Sequence, residues 1–392
     1  MTRRRATVGQ WVRAARWATA LACMLLLIPG AQAADKTIKI AVLIPLSGPA
    51  SYFGVQDKQG YELGLEQVAK AGLGYKIDLH YEDSACAPLP ATQAVKRVVD
   101  EYQPDLVFGE ECSDASLAIM PTLEAAEIPL LNAGSTADQL TNSGYHYVFR
   151  IFPTATQQGT DLAHRAYENL KARTAVLLYE KTNAGIDNAN LFSKPFEQLG
   201  GKVLASIDYG RDVNDFTAIA TRVGGLGAID VIPSFGLEGQ AIKLTQALAQ
   251  AGVVKGGGGK AIQMGSIWLP YGFDQKAGKA AIGYIRIVQF DPNDPRPVVR
   301  NFVEAFKAKY GQDQVPTHIN AHSYDQILLA AEAIRRGAHD AKSFRDAFAG
   351  MKGIQVTTGT IDFGPNGQNT NLSVLHYVET TPELTWRHLD WK

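Results

Sequence analysis

"TIKIAVLIPLSGPASYFG" (residues 37–54) runs from an apolar, β-branched stretch of strand length into a Ser/Gly/Pro loop, and helical periodicity follows near 55–71. A strand apolar on both faces is covered on both faces, which is the signature of a parallel sheet flanked by helices. The same alternation then repeats: "KIDLHYE", a helix near 90–102, "DLVFG", a helix near 115–126, and "IPLLNA". A second series follows "YVFRIFP". It comprises "RTAVLLYE", "KVLASIDY", "IDVIPSF" and "AIQMGSI", with helices near 156–170, 187–199, 215–224 and 238–251. Two doubly wound α/β units account for both series.

The tail is less regular. "DPNDPRP" reads as a loop, 298–310 and 321–336 as helices, and the last 35 residues alternate like strands. "GVVKGGGGK" lies between a helix and a strand and reads as a surface loop rather than a linker.

Residues 1–33 have the form of a secretory leader. Arg3, Arg4, Arg5, Arg13 and Arg16 precede or flank the apolar run "ALACMLLLI", and "AQA" offers a cleavage point after Ala33. The apolar run is shorter than the roughly 20 residues needed to span a bilayer. Without those five arginines the remaining 359 residues carry 33 basic and 39 acidic groups, a net charge of −6. That balance argues against a nucleic-acid partner. Cys86 and Cys112 are then the two cysteines left, in a chain bound for an oxidising compartment, where pairing is the default. In "GEECSDAS" (109–116), Glu110 and Glu111 beside Cys112 would raise its thiol pKa, the wrong direction for a nucleophile.

Catalytic signatures are missing from the sequence. "GGGGK" has Val254 where a phosphate loop needs Gly and Ala261 where it needs Ser or Thr. No serine sits in a Gly-x-Ser-x-Gly elbow. His318 and His322 share a helix face without the adjacent Glu of a zinc hydrolase, which favours packing, and "GGLG" (224–227) reads as a helix stop. The expectation is a binding protein, not an enzyme, with no cofactor and no metal.

In doubly wound sheets, ligands sit beyond the carboxyl ends of the strands. The loops there are "PLSGPASYFG", "GEECSDAS", "NAGSTADQL", "EKTNAGIDN", "SFGLEGQ" and "GSIWLPYG". Ser113 and the run Gly134, Ser135, Thr136 are candidates for an anion site of hydroxyls and free backbone N–H groups. Ordinary N-capping is the alternative for the same residues.

Taken in order, "IKIAVLIPLSGPASYFG", "YEDSACAP", "GEECSDAS", "LLNAGSTADQLT", "VFRIFPTATQQG", "DFTAIATRV" and "IDFGPNGQNTN" resemble the periplasmic leucine/isoleucine/valine-binding proteins of ABC importers. The resemblance implies two lobes joined by three crossover segments, near 150, 286 and 358, that close over a small ligand. The lobes would be 34–150 with 287–357, and 151–286 with 358–392. It implies a Cys86–Cys112 disulfide, a ligand carboxylate held by Ser113, Gly134, Ser135 and Thr136, an inner-membrane permease as partner, and a monomer in the periplasm. A periplasmic sensor subunit serving a receptor kinase would share the fold.

The opposite end of the site departs from the family. Ile267 stands where the amino-acid binders have the acid that pairs the ligand α-ammonium, and Ala184 where they have a tyrosine. Phe53, Phe235, Trp268 and Tyr271 could wall an apolar or aromatic ligand. This favours an aromatic or 2-oxo acid. A displaced ammonium partner, with Glu238, Glu110 and Asp187 as candidates, would instead keep a branched-chain or other amino acid as the ligand.

Overall fold

The computed structural model describes residues 36–265, 269, 272–371, 376–389 and 391; the expected leader lies outside them. Two sheets organise the chain. The first contains β1 (Lys36–Ile44), β2 (Tyr75–Asp83), β3 (Leu106–Gly109), β4 (Leu130–Asn132) and β5 (Val148–Arg150), in the order β2-β1-β3-β4-β5. The second contains β6 (Thr174–Glu180), β7 (Lys202–Tyr209), β8 (Val231–Phe235), β9 (Ile262–Gly265) and β10 (Ile285–Val288), in the order β7-β6-β8-β9-β10. The two orders are the same doubly wound pattern, each with its switch point between the first and third strands of its series. In such sheets the crevice for a ligand opens at that point.

The antiparallel strands β13 (His376–Thr380) and β14 (Trp386–Leu389) extend the second sheet beyond β10. A hairpin of β11 (Ile354–Val356) and β12 (Gly359–Ile361) stands apart from both sheets.

Most strands of both parallel sheets are buried along their length, which explains why the sequence shows apolar runs rather than strict alternation. The covering helices are α1 (Ser51–Lys70), α2 (Pro88–Arg97), α3 (Ser113–Ala125), α4 (Gln139–Asn142), α5 (Ala155–His164), α6 (Asn183–Gln198), α7 (Thr217–Gly224) and α8 (Glu238–Gln250). They are followed by α9 (Phe273–Ala277), α10 (Pro297–Tyr310), α11 (His318–Arg335) and α12 (Ala341–Ala349). Helix α1 begins four residues earlier than expected. The last proline before it is Pro49, so nothing forbids helical backbone from Ser51 on, and Tyr52 and Phe53 fall in its first turn.

The chain crosses between lobes and returns. Helix α11 lies on α1 so closely that a Cβ on Gly60 would meet the Asn320 carbonyl oxygen at 2.3 Å and one on Gly64 the Ile327 side chain at 2.8 Å. Tyr61 donates to Gln326 at 2.7 Å, and Gln326 in turn donates to the Leu131 carbonyl at 2.6 Å, which fixes α11 to the first sheet. The segment after β12 is tied to the end of the first sheet, because Arg150 donates to Gln368 at 2.6 Å and the Asn369 N–H to the Arg150 carbonyl at 2.9 Å. His318 and His322 are packing residues. His322 meets Gln289 at 2.8 Å and the Phe152 ring edge-on, with ring centroids 4.9 Å apart.

Candidate ligand-binding cleft

Both switch points open onto one cavity. It holds about 430 Å³ of empty space, its open mouth included. From the first lobe come Cys112, Ser113 and Asp114 after β3; from the second come Glu180, Thr182, Ala184, Gly185 and Asn188 after β6, Arg211 after β7, and Phe235, Gly236 and Leu237 after β8.

The first-lobe wall is built by hydrogen bonds between loops. Cys112, bonded to Cys86 with a Cα separation of 5.3 Å, occupies the N-cap position of α3. The next residue, Ser113, accepts the Thr136 and Ala137 N–H groups on its Oγ, each at 3.2 Å. Its own O–H is then available to a ligand oxygen. The Thr136 hydroxyl is buried and has no partner among the described residues. Ser135 differs. Its hydroxyl donates to the Glu110 carbonyl at 2.8 Å and lies 2.6 Å from the Ser116 hydroxyl, so it is engaged inside the wall. Gly134 has to be glycine, since a Cβ there would sit 2.0 Å from the Glu111 carboxylate.

Behind this wall lie three buried carboxyl groups, Asp57, Glu110 and Glu111. Burial raises the pKa of all three; the Glu110 charge adds to the rise at Asp57, and the Asp57 and Glu110 charges add to it at Glu111; Glu110 is pushed up to about 7 despite the Cys112 N–H it accepts at 2.9 Å and the nearby Arg211 charge. The folded protein therefore holds at Glu110 a proton that the unfolded chain, near its ordinary value of about 4.3, releases. Stability from this group is fully present below that value and is lost as pH rises towards 7. Half-buried His318, pushed down to about 3 by desolvation, and buried His322, also pushed well down, act in the opposite sense below about pH 6.5. The informative measurement is thus urea unfolding of E110Q against wild type between pH 5 and 8. The variant should lose part of the decline with rising pH; parallel curves would refute the assignment.

On the second lobe, Thr182 caps α6 by accepting the Gly185 N–H at 3.2 Å, which places Ala184 in the first turn and Asn188 one turn further on. Glu180, 2% exposed, receives the Arg211 Nε–H on Oε1 at 2.5 Å, while its Oε2 has no partner among the described residues. The Asn188 side-chain oxygen is likewise buried and unpartnered. Two residues of the cavity wall thus carry a buried acceptor without a donor among the described residues. Phe235 lines the cavity wall, whereas Phe53 is buried against Tyr52, with ring centroids 4.3 Å apart, and is not part of the lining. Glu238 points away, its carboxylate 2.8 Å from Lys276. Ile267, Trp268 and Tyr271 lie outside the described residues.

Among the described residues, hydrogen bonds between the cleft loops of the two lobes include the following. Asn183 N–H reaches Asp114 at 3.3 Å, Arg211 Nη1 the Cys86 carbonyl at 2.9 Å, and Glu238 N–H the Tyr52 hydroxyl at 3.4 Å. Sequence reading missed Arg211 and passed over Glu180 and Asn188. Glu180 and the residues after it lie in the quoted loop "EKTNAGIDN", whereas the loop after β7, "GRDVND", is not among the loops that the sequence singled out.

Two α/β lobes with matching switch points facing one cavity define a bilobal solute-binding protein. The sequence matches the family described as periplasmic binding protein over residues 37–379, and the chain belongs to that family, the solute-binding components of ABC importers related to the leucine/isoleucine/valine binders. It is 27% identical over 363 residues to the "leucine-, isoleucine-, valine-, threonine-, and alanine-binding protein" of Pseudomonas aeruginosa, covering 88% of this chain and 90% of that one. In fold it is similar to a leucine-binding protein of Thermotoga maritima, with a TM-score of 0.81 and 24% identity, covering 90% of this chain and 97% of that one. A solute-binding protein of R. palustris in complex with benzoate is similar at a TM-score of 0.80 and 21% identity, with 90% and 95% covered. The family is non-catalytic, and no cluster of metal-ligating side chains occurs among the described residues.

Proposed function

We propose that the cleft captures a small zwitterionic amino acid with an apolar side chain and delivers it to an inner-membrane ABC permease. The observation that carries this reading is the pair of buried acceptors, Glu180 Oε2 and Asn188 Oδ1, that have no partner among the described residues and belong to second-lobe residues lining the same cavity as Ser113. An ammonium has three donors and no acceptor, so it satisfies both. A bare carboxylate, the aromatic or 2-oxo acid favoured by Ile267, satisfies neither and adds a negative charge to a cavity that already holds Asp114 and Glu180 against one Arg211. Glu180 then takes the place of the displaced acid, rather than Glu238, Glu110 or Asp187. The ligand carboxylate meets the Ser113 and Thr136 hydroxyls, and the side chain lies against Phe235, Leu237 and Ala184. The amino-acid specificity named for the Pseudomonas relative supports the same class.

In this reading the leader is removed after Ala33, the lobes move about the three crossovers, and the protein acts as a monomer. The test is thermal unfolding with matched acids: L-leucine against its 2-oxo analogue, L-phenylalanine against phenylpyruvate, and benzoate. A ligand at 100 times its Kd adds about 2.7 kcal/mol. Stabilisation by the amino acids and not by their oxo partners is expected. Stabilisation by the oxo acids or benzoate alone would overturn the ammonium assignment and restore the aromatic or oxo acid.

A further inference from the structure

We propose that Arg211 is a positioning residue that latches the cleft shut, and that the Cys86–Cys112 disulfide holds the catch on which it closes. This rests on the proposed capture function but not on the class of ligand captured.

The latch is aimed from the second lobe. Arg211 lies two residues past β7; its Nε–H is fixed on Glu180 Oε1 at 2.5 Å, and its own carbonyl accepts Gln240 Nε2 from α8 at 2.6 Å. So oriented, Nη1 reaches across the cleft to the Cys86 carbonyl at 2.9 Å. The catch is equally constrained. Ala85 and Cys86 are consecutive non-glycine residues in the left-handed region, with φ of 49° and 57°. Asp83 Oδ1 accepts the Ala85 N–H at 2.8 Å and the Leu46 N–H at 2.8 Å, and Ser84 Oγ accepts the Cys86 N–H at 3.2 Å. The disulfide then joins Cys86 to the residue immediately before Ser113.

A single covalent path therefore runs from the latch carbonyl to the first-lobe hydroxyl that faces the ligand. The disulfide is more than a staple on the fold: it couples lobe closure to the anchor. A contact made only in the closed form slows release and leaves capture by the open form unchanged. A hydrogen bond from a charged donor corresponds to roughly tenfold to a hundredfold in the release rate.

The experiment is a double-mutant cycle on full mature protein, with wild type, R211M, C86A/C112A and the combination, in which L-leucine release and capture rates are measured by stopped-flow fluorescence. R211M should speed release by roughly tenfold or more with little change in capture. Because Arg211 also lines the cavity and orients Glu180, a lost ligand contact would speed release equally in both disulfide backgrounds, whereas a lost latch would not, so the cycle separates the two. C86A/C112A should speed release in the wild-type background and add little to R211M. A disulfide that only stabilises the fold would have the same effect in both backgrounds, and that result would overturn the proposal, as would unchanged release in R211M. Should C86A/C112A not fold, small-angle scattering of ligand-free R211M against wild type decides. Should wild type not bind leucine, the amino-acid reading fails by itself, and small-angle scattering of the ligand-free proteins tests the latch. R211M should then show a larger radius of gyration, and equal radii would overturn it.

Discussion

Glu180→Gln should weaken L-leucine binding by about 10²- to 10⁴-fold in an otherwise intact protein. The carboxylate is 2% exposed, and its Oε2 is one of two cavity acceptors without a donor. An ammonium placed there is removed from water, and deleting the countercharge of a buried ion costs about 3 to 5 kcal/mol, which is the stated range of affinity. Gln retains an oxygen for Arg211 and nearly the same volume, so the unfolding midpoint of the ligand-free protein should move little. Titration calorimetry of E180Q and of E238Q provides the contrast. The Glu238 carboxylate faces Lys276, so E238Q should bind leucine nearly as wild type does. A large loss in E238Q with none in E180Q would reverse the assignment of the ammonium partner.

Asp274→Ala should be the most destabilising single change in the second lobe, at about 3 to 5 kcal/mol. Arg286 on β10 is fully buried and donates to both Asp274 oxygens, at 2.8 and 2.7 Å; Thr380 adds a hydrogen bond to the same carboxylate. The guanidinium is otherwise surrounded by rings, with Phe273 and Trp386 centroids 5.5 and 5.2 Å away. Removing Asp274 leaves a charge that can neither reach water nor lose its proton. Urea denaturation of D274A should show the loss, and the double variant D274A/R286M should recover part of it, because the cost lies in the unpaired charge. Equal losses in single and double variants would mean that packing, not charge, holds the pair.

Much of the fold was legible because burial on both faces of a parallel strand leaves a local trace, an unbroken apolar run, and because helices announce themselves by period. "TIKIAVLIPL" and "RTAVLLYE" each read correctly as strands for that reason. Contacts between distant segments were harder: nothing local in "IDFGPNGQNTN" records that Gln368 is held by Arg150, 218 residues earlier. The first-lobe wall was found through its hydroxyls, yet Ser113 and Ser135, similar in sequence, face different partners.

The sequence by itself determined the doubly wound lobes and the family, because strands and helices leave a pattern within a few neighbouring residues, and the pairing of Cys86 with Cys112, because they are the two cysteines outside the expected leader. Only the tertiary structure decided that Ser135 is engaged within the wall, that Glu238 is neutralised by Lys276, and that Glu180, Asn188 and Arg211 face the cavity. Those outcomes depend on which side chain finds a partner across 19 to 125 residues of chain, and hydrogen bonds over that distance are set by the packing of lobes and helices, not by the order of neighbours.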